Sequence, residues 1–323
     1  MTKIIIAIIS SFALSLVLMP LIIKLTRKLA CSQTILKYVE EHKSKQGTPT
    51  MGGIVFFLTT FLLIFIFLDY ETNWFLCLMV GFSFALIGGM DDFIKIKFKR
   101  NLGLLPYQKI VGQLGISLIL ALYIYYQVGT SLSIPFFNNQ INVGWFIIPV
   151  VITTCLATTN AVNLTDGLDG LAGSVSVVVL AITMVILGFM QAGSGATINN
   201  LSNLIVLIAI FMASILGFLV YNTNKASIFM GDVGSLGIGG FISAIFCVCG
   251  LELSLLFLGI MFVASTLSVI IQVFSFKVFH RRVFKMSPLH HHFQQMGFSE
   301  AKITYAYSII TGLMGLLLIL SYV

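Results

Sequence analysis

Apolar runs of about 17–25 residues recur from one end of this chain to the other, each long enough to cross a bilayer as a helix. Lipid offers the backbone no hydrogen-bond partners, so a spanning segment is either a helix or a strand of a closed barrel. The runs are continuously apolar and lack the alternation of barrel strands, which leaves helices. Charged residues make up 9% of the chain, against roughly 25% in a soluble domain. There is too little polar surface to cover a core in water. The sequence therefore predicts an all-α polytopic membrane protein with about ten transmembrane helices, over residues 4–25, 52–68, 74–90, 110–128, 144–159, 171–190, 201–220, 235–250, 253–274 and 304–322. Residues 1–323 read as a single integral membrane domain, without soluble insert, linker or internal repeat.

Charge placement predicts orientation. The first run precedes its basic residues Lys24, Arg27 and Lys28, the reverse of a cleaved leader. With the N-terminus outside and the spans alternating, every Lys and Arg except Lys3 falls in or beside an inner loop, as the positive-inside rule requires. The outer connections carry Asp69, Glu71 and Glu252, and both termini lie outside. The net charge of +7 then reflects topology and contact with anionic membrane lipids, not nucleic-acid binding. Of the five cysteines, Cys77, Cys155, Cys247 and Cys249 sit in apolar runs without zinc or redox spacing, and read as packing residues.

A carboxylate at a membrane edge is costly enough to need a reason. Asp91, Asp92, Asp166, Asp169 and Asp232 come from three places in the chain, yet all are predicted at the inner edge of a span. Adjacent Asp91 and Asp92 repel, so ionising both favours a counter-cation such as Mg²⁺ or the ammonium groups of Lys95 and Lys109, which could instead hold substrate phosphates, unless the pair simply marks a solvated helix end. Asp166 and Asp169 are three apart, so a helical turn would place them on one face, while Asn163, Thr165 and Asp166 have helix-capping chemistry. In the stretch Tyr221 to Gly237, which includes Asn222, glycine before a helix offers backbone N–H groups to an anion, and Asp232 is poised to cap that helix or to hold a metal. Phe229 has two readings, a stacking surface for a flat base or an interfacial aromatic. His290, His291 and His292 follow a basic approach of Lys277, His280, Arg281, Arg282 and Lys285, which favours an anionic ligand. Mg²⁺ and ammonium groups around phosphates are the usual electrostatic solution for phosphoryl transfer. A secondary transporter for an anionic solute also uses intramembrane charge, but at the midplane and between repeated halves.

These residues also carry a resemblance. The stretches 47–53 (Gly-Thr-Pro-Thr-Met-Gly-Gly), Asp91-Asp92, 163–170, 229–232 (Phe-Met-Gly-Asp) and 288–293 (Pro-Leu-His-His-His-Phe) are similar, in order, to the phospho-N-acetylmuramoyl-pentapeptide transferases, within the polyprenyl-phosphate N-acetylhexosamine-1-phosphate transferase superfamily. The resemblance implies Mg²⁺-dependent transfer of phospho-N-acetylmuramoyl-pentapeptide from UDP to undecaprenyl phosphate. UMP would leave, at a cleft on the inner face of a bacterial cytoplasmic membrane, in a homodimer. It implies that Asp232 binds Mg²⁺ and that Asp91, Asp92, Lys109, His290 and His291 belong to the catalytic set. Lys45, Asn163, Asp166, Asp169, Asn222, Phe229 and His292 would be substrate-binding, with Phe229 toward the uracil. Lys225, Gln294 and Phe298 stand where the family commonly has Pro, Glu and Trp.

Overall fold

The computed structural model describes residues 1–28, 47–98, 103–137, 140–192, 201–223 and 225–323. The chain forms α1 (Thr2–Lys28), α2 (Ile54–Phe67), α3 (Thr72–Lys97), α4 (Pro106–Tyr123), α5 (Ile147–Thr165), α6 (Leu171–Ala192), α7 (Leu201–Asn222), α8 (Gly231–Val248), α9 (Glu252–Leu258), α10 (Ile260–Phe279), α11 (Leu289–Gln294) and α12 (Glu300–Ile319). The small antiparallel hairpin β1 (Ser131–Ser133) and β2 (Gln140–Asn142) follows α4. Among the described residues nine helical segments are long and apolar enough to cross a membrane. The protein is an all-α polytopic membrane protein, as the sequence predicts.

The boundaries differ from expectation where function gathers. The run predicted over 52–68 is helical only over 14 residues, about 21 Å at 1.5 Å per residue, short of the roughly 30 Å hydrocarbon layer. α3 continues to Lys97, so Asp91 and Asp92 lie on a helix and not beyond one. α5 runs to Thr165 and takes in Asn163, and α8 begins at Gly231, which puts Asp232 in its first turn. The single run predicted over 253–274 is two helices, α9 and α10, meeting at Gly259.

α7 and α8 form the centre, with nearly every residue of each buried. Water is no driving force for helix packing in lipid, so close van der Waals contact and buried hydrogen bonds hold the bundle. Phe211 on α7 stacks on Phe241 of α8 at 4.1 Å, and Phe56 of α2 meets Phe218 edge-on at 5.2 Å. Ser11 and Ser15 of α1 donate to the Ile210 and Ser214 carbonyls of α7 at 2.6 and 2.9 Å. α3 lies tightest on α8. At Gly88 a β-carbon would sit 2.0 Å from the Asp232 carbonyl oxygen, so only glycine lets the two backbones meet there. Cys77, Cys155, Cys247 and Cys249 are buried free thiols in this packing.

Candidate active site

The crossing of α3 and α8 brings the distant carboxylates together. One oxygen from each of Asp91, Asp92 and Asp232 lies within 4.8 Å of the others. Lys95, one turn beyond the aspartate pair, places Nζ 2.6 Å from Asp91 Oδ2, 3.1 Å from Asp232 Oδ2 and 4.0 Å from Asp92 Oδ1. Lys109, in the first turn of α4, reaches Asp232 Oδ2 at 2.7 Å and Asp91 Oδ2 at 3.8 Å. From α5, Asn163 Nδ2 donates to Asp232 Oδ1 and to Ser235 Oγ, each at 2.8 Å. Four helices thus converge on Asp232. Hard oxygen donors this close suit a small divalent cation.

The two members of the aspartate pair differ in surroundings. Asp92 Oδ2 accepts the Val233 N–H at 3.1 Å, so its charge sits on the positive end of α8. The anion expected at that helix start is therefore a side chain of the protein, and Asp232 itself caps nothing. Asp91 Oδ1 accepts the Leu104 N–H at 2.8 Å, while Oδ2 faces the lysines.

A strap of backbone fixes the loop before α8. Phe229 N–H donates to the Pro49 carbonyl at 2.8 Å, and the Gly52 and Gly53 N–H groups donate to the Phe229 and Met230 carbonyls at 2.9 Å. The Thr-Pro-Thr-Met-Gly-Gly stretch therefore acts on Asp232 through main chain. Phe229 stands half-buried beside the site.

The loop after α5 holds a surprise. It turns at Asp166 without forming a helix, so Asp166 and Asp169 do not share a helical face. Asp169 Oδ2 accepts the Ala226 N–H at 3.0 Å, and Asn222 accepts the Gly170 N–H at 3.0 Å while donating to the Ile228 carbonyl at 2.9 Å. Both side chains, predicted to bind substrate, are buried and spend these bonds joining the α5–α6 loop to the α7–α8 loop. Asp166 stays half-buried at the cleft. Burial, reinforced by the charges of Asp232, Asp92 and Asp169, pushes its carboxyl up to about 8.

The histidine loop covers Gly167, where a β-carbon would lie 2.3 Å from His290 Nε2 and 3.1 Å from His291 Nε2. Burial, with His291 beside it, pulls the His290 imidazole down to about 3, so the ring is neutral at pH 7. His292 Nδ1 accepts the Lys285 N–H at 3.2 Å, and Gln272 of α10 ties the same loop by accepting from Val283 and Phe284 N–H at 3.0 and 2.9 Å. His292 is thus held by its own loop through Nδ1. Lys225, at φ 66°, adopts a backbone shape closed to proline. Lys45 lies outside the described residues.

Residues 74–250 match the profile of glycosyl transferase family 4, and residues 45–57 match the phospho-N-acetylmuramoyl-pentapeptide-transferase signature 1. The chain is 43% identical over 307 residues to a phospho-N-acetylmuramoyl-pentapeptide-transferase of Clostridium botulinum (strain Alaska E43 / Type E3), covering 94% of this chain and 92% of the relative. Its identity to the protein of that name from Thermoanaerobacter pseudethanolicus is 44% over 312 residues, covering 96% and 95%. The chain belongs to the phospho-N-acetylmuramoyl-pentapeptide-transferase family. It is accordingly an enzyme, a transferase. Within this family member the signature at 45–57 includes the strap that holds the start of α8, and the longer match spans the helices that carry Asp91, Asp92, Lys109, Asn163 and Asp232.

From the sequence Lys95 is read as a counter-charge or phosphate ligand but not placed among the predicted site residues, although its distances make it as central as Lys109. The signal was present: Lys95 follows Asp91 by four residues and Asp92 by three, which on a helix puts all three on one side.

Proposed function

We propose that this enzyme transfers phospho-N-acetylmuramoyl-pentapeptide from its UDP carrier to undecaprenyl phosphate, giving lipid I and UMP, in the cytoplasmic membrane of a bacterium. The observation that carries the reading is the meeting of Asp91, Asp232, Lys95 and Lys109 in one pocket at the ends of α3, α4 and α8. The positive-inside distribution of Lys and Arg supports a pocket opening toward the cytoplasm, where the nucleotide substrate is soluble.

A Mg²⁺ ion held by Asp232 and Asp91 would supply charge screening between the two phosphates that must approach each other. The chain's own groups supply the rest. Lys95 and Lys109 place two positive charges where the diphosphate would lie, and Asn163 fixes the Asp232 carboxylate. Asp91 orients the acceptor phosphate and takes its remaining proton. A phosphomonoester is already largely dianionic near neutrality, its second pKa being about 6, so base assistance is a modest part of the barrier. The acceptor oxygen attacks the β-phosphorus of the UDP-sugar directly and UMP departs. Asp92 works through main chain, by anchoring the start of α8. Asp166 and Phe229 face the nucleotide, and His291 lines the sugar side of the cleft with the buried His290 packed behind it.

A groove supports the lipid half of the reaction. A cavity of about 460 Å³ lies between α5 and the α9–α10 break, lined by side chains such as Phe146, Val150, Ala157, Ala161, Leu256 and Val263. Ala161 lies in the same last turn of α5 as Asn163 but on a different face, so the groove reaches the carboxylates' level along the helix.

The reading is tested with radiolabelled UDP-N-acetylmuramoyl-pentapeptide and undecaprenyl phosphate, with and without Mg²⁺. Solvent-extractable labelled lipid that forms only with Mg²⁺ is expected. Uptake of label into vesicles without lipid product would favour a transporter, and trapping of a phosphorylated Asp91 would overturn direct attack.

A further inference from the structure

The two lysines of the pocket end on the oxygens that a metal ion would need. Asp232 offers two carboxylate oxygens. Oδ1 accepts from Asn163 at 2.8 Å, and Oδ2 takes both ammonium groups, Lys109 at 2.7 Å and Lys95 at 3.1 Å. Asp91 repeats the division. Oδ1 accepts the Leu104 N–H at 2.8 Å, and Oδ2 faces Lys95 at 2.6 Å and Lys109 at 3.8 Å. Asp91 is 2% exposed, and the ammonium groups of Lys95 and Lys109 are the cations its Oδ2 faces. In both residues Oδ1 is spent on fixing the carboxylate, and Oδ2 points at shared positive charge.

A divalent cation and the lysines therefore compete for the same two atoms. The lysines can yield. Their side chains are 25% and 18% exposed, against 3% for Asp91, so they border the open side of the pocket. Released ammonium groups there would face any phosphate that enters.

Resting on the function proposed above, we propose that Lys95 and Lys109 are resident cations handed from Asp91 and Asp232 to the nucleotide's phosphates when a divalent cation binds. Lys95 is thereby a phosphate-binding residue equal in rank to Lys109. The exchange makes cation and nucleotide binding mutually reinforcing, because each removes a competitor of the other. Linkage makes the enhancement equal in both directions.

The test uses the full-length chain in detergent micelles, Mn²⁺ as the spin probe for the cation site and UMP as the phosphate probe. Free Mn²⁺ is read by electron paramagnetic resonance. For the wild type, saturating UMP is expected to tighten Mn²⁺ binding by about tenfold, within the usual range of such couplings. Lys109→Gln and Lys95→Gln are expected to bind Mn²⁺ more tightly than wild type without UMP, and to lose most of the UMP enhancement. Lys109→Arg, which keeps the charge, and Lys97→Gln, on an exposed side chain near the same helix end, are expected to behave as wild type without UMP.

Equal or weaker Mn²⁺ binding by both glutamine variants, or an undiminished UMP effect, would overturn the exchange while leaving the transferase reading intact. If Asp232→Asn binds Mn²⁺ as well as wild type does, the metal assignment itself fails, and the exchange with it. Variants are compared only where their melting temperatures match the wild type. Lys109→Arg carries the test of charge against shape if the glutamine variants do not fold.

Discussion

Asp92 separates a positioning role from a catalytic one, because truncating its side chain and merely neutralising it should behave differently. Its Oδ2 accepts the Val233 N–H at 3.1 Å, and the residue is 3% exposed. The first N–H groups of a helix have no partner within it, so α8 depends on this acceptor from α3. Asp92→Ala leaves a buried donor unmet, at about 1–3 kcal/mol. It also removes a negative charge from a helix start, worth about 0.3–2 kcal/mol. The combined cost of about 1.3–5 kcal/mol corresponds to a shift of roughly tenfold to several thousandfold in how often the turn carrying Asp232 holds its place. Asp92→Asn keeps an oxygen for Val233 and loses only the charge, so the expected cost is the helix-end share alone, about 0.3–2 kcal/mol. The assay is thermal unfolding in one detergent at one pH, together with kcat and KM in the transfer reaction. The alanine variant should melt clearly lower and lose kcat, and the asparagine variant should recover most of both. An asparagine variant as damaged as the alanine one would refute the anchoring argument and return Asp92 to the reacting groups.

Further expectations concern backbone contact and pH. Gly88→Ala forces a β-carbon to within 2.0 Å of the Asp232 carbonyl. It should cost at least the roughly 1–3 kcal/mol of an overpacked core and abolish transfer. Gly115→Ala on α4, with nothing within 4 Å of the new carbon, should melt at or slightly above wild type. Asp166 holds its proton more tightly folded, at about 8, than unfolded, near 3.8. Its contribution to stability is therefore fully present below the unfolded value and falls steadily as pH rises to about 8. Melting curves from pH 5 to 9 should show Asp166→Asn gaining on wild type as pH rises; parallel curves would contradict the shift.

Helix content and rough span positions were legible in the sequence because lipid imposes one rule on every span, and hydropathy reads it directly. The carboxylates at the ends of α3 and α8 stood out for the same reason, as costly charges on apolar helices. The partner of each polar side chain was not legible. Asp169 and Asn222 have the same chemistry as Asp166 and Asn163. Only the approach of the α7–α8 loop decides that the first two hold backbone while Asn163 holds Asp232. Gly259 gave no sign that it would split a span, since an isolated glycine is tolerated within a helix. The role of the Gly-Thr-Pro-Thr-Met-Gly-Gly stretch was also hidden, because it is exercised by peptide groups that any sequence possesses.

The wrapping of α8 by its neighbours has a consequence for biogenesis. Its mean hydropathy over the best window is 1.6, against 2.8 for α7, and it carries five glycines and an aspartate. In the finished molecule protein, not acyl chains, surrounds almost all of it. The selection for lipid solubility that shapes a peripheral span is therefore relaxed here, and close-fitting small residues accumulate instead. Such a segment is a poor candidate for solitary insertion. It should settle in the bilayer only once α3, α5 and α7 are waiting to receive it, which would make assembly of the catalytic pocket and completion of the bundle a single late event.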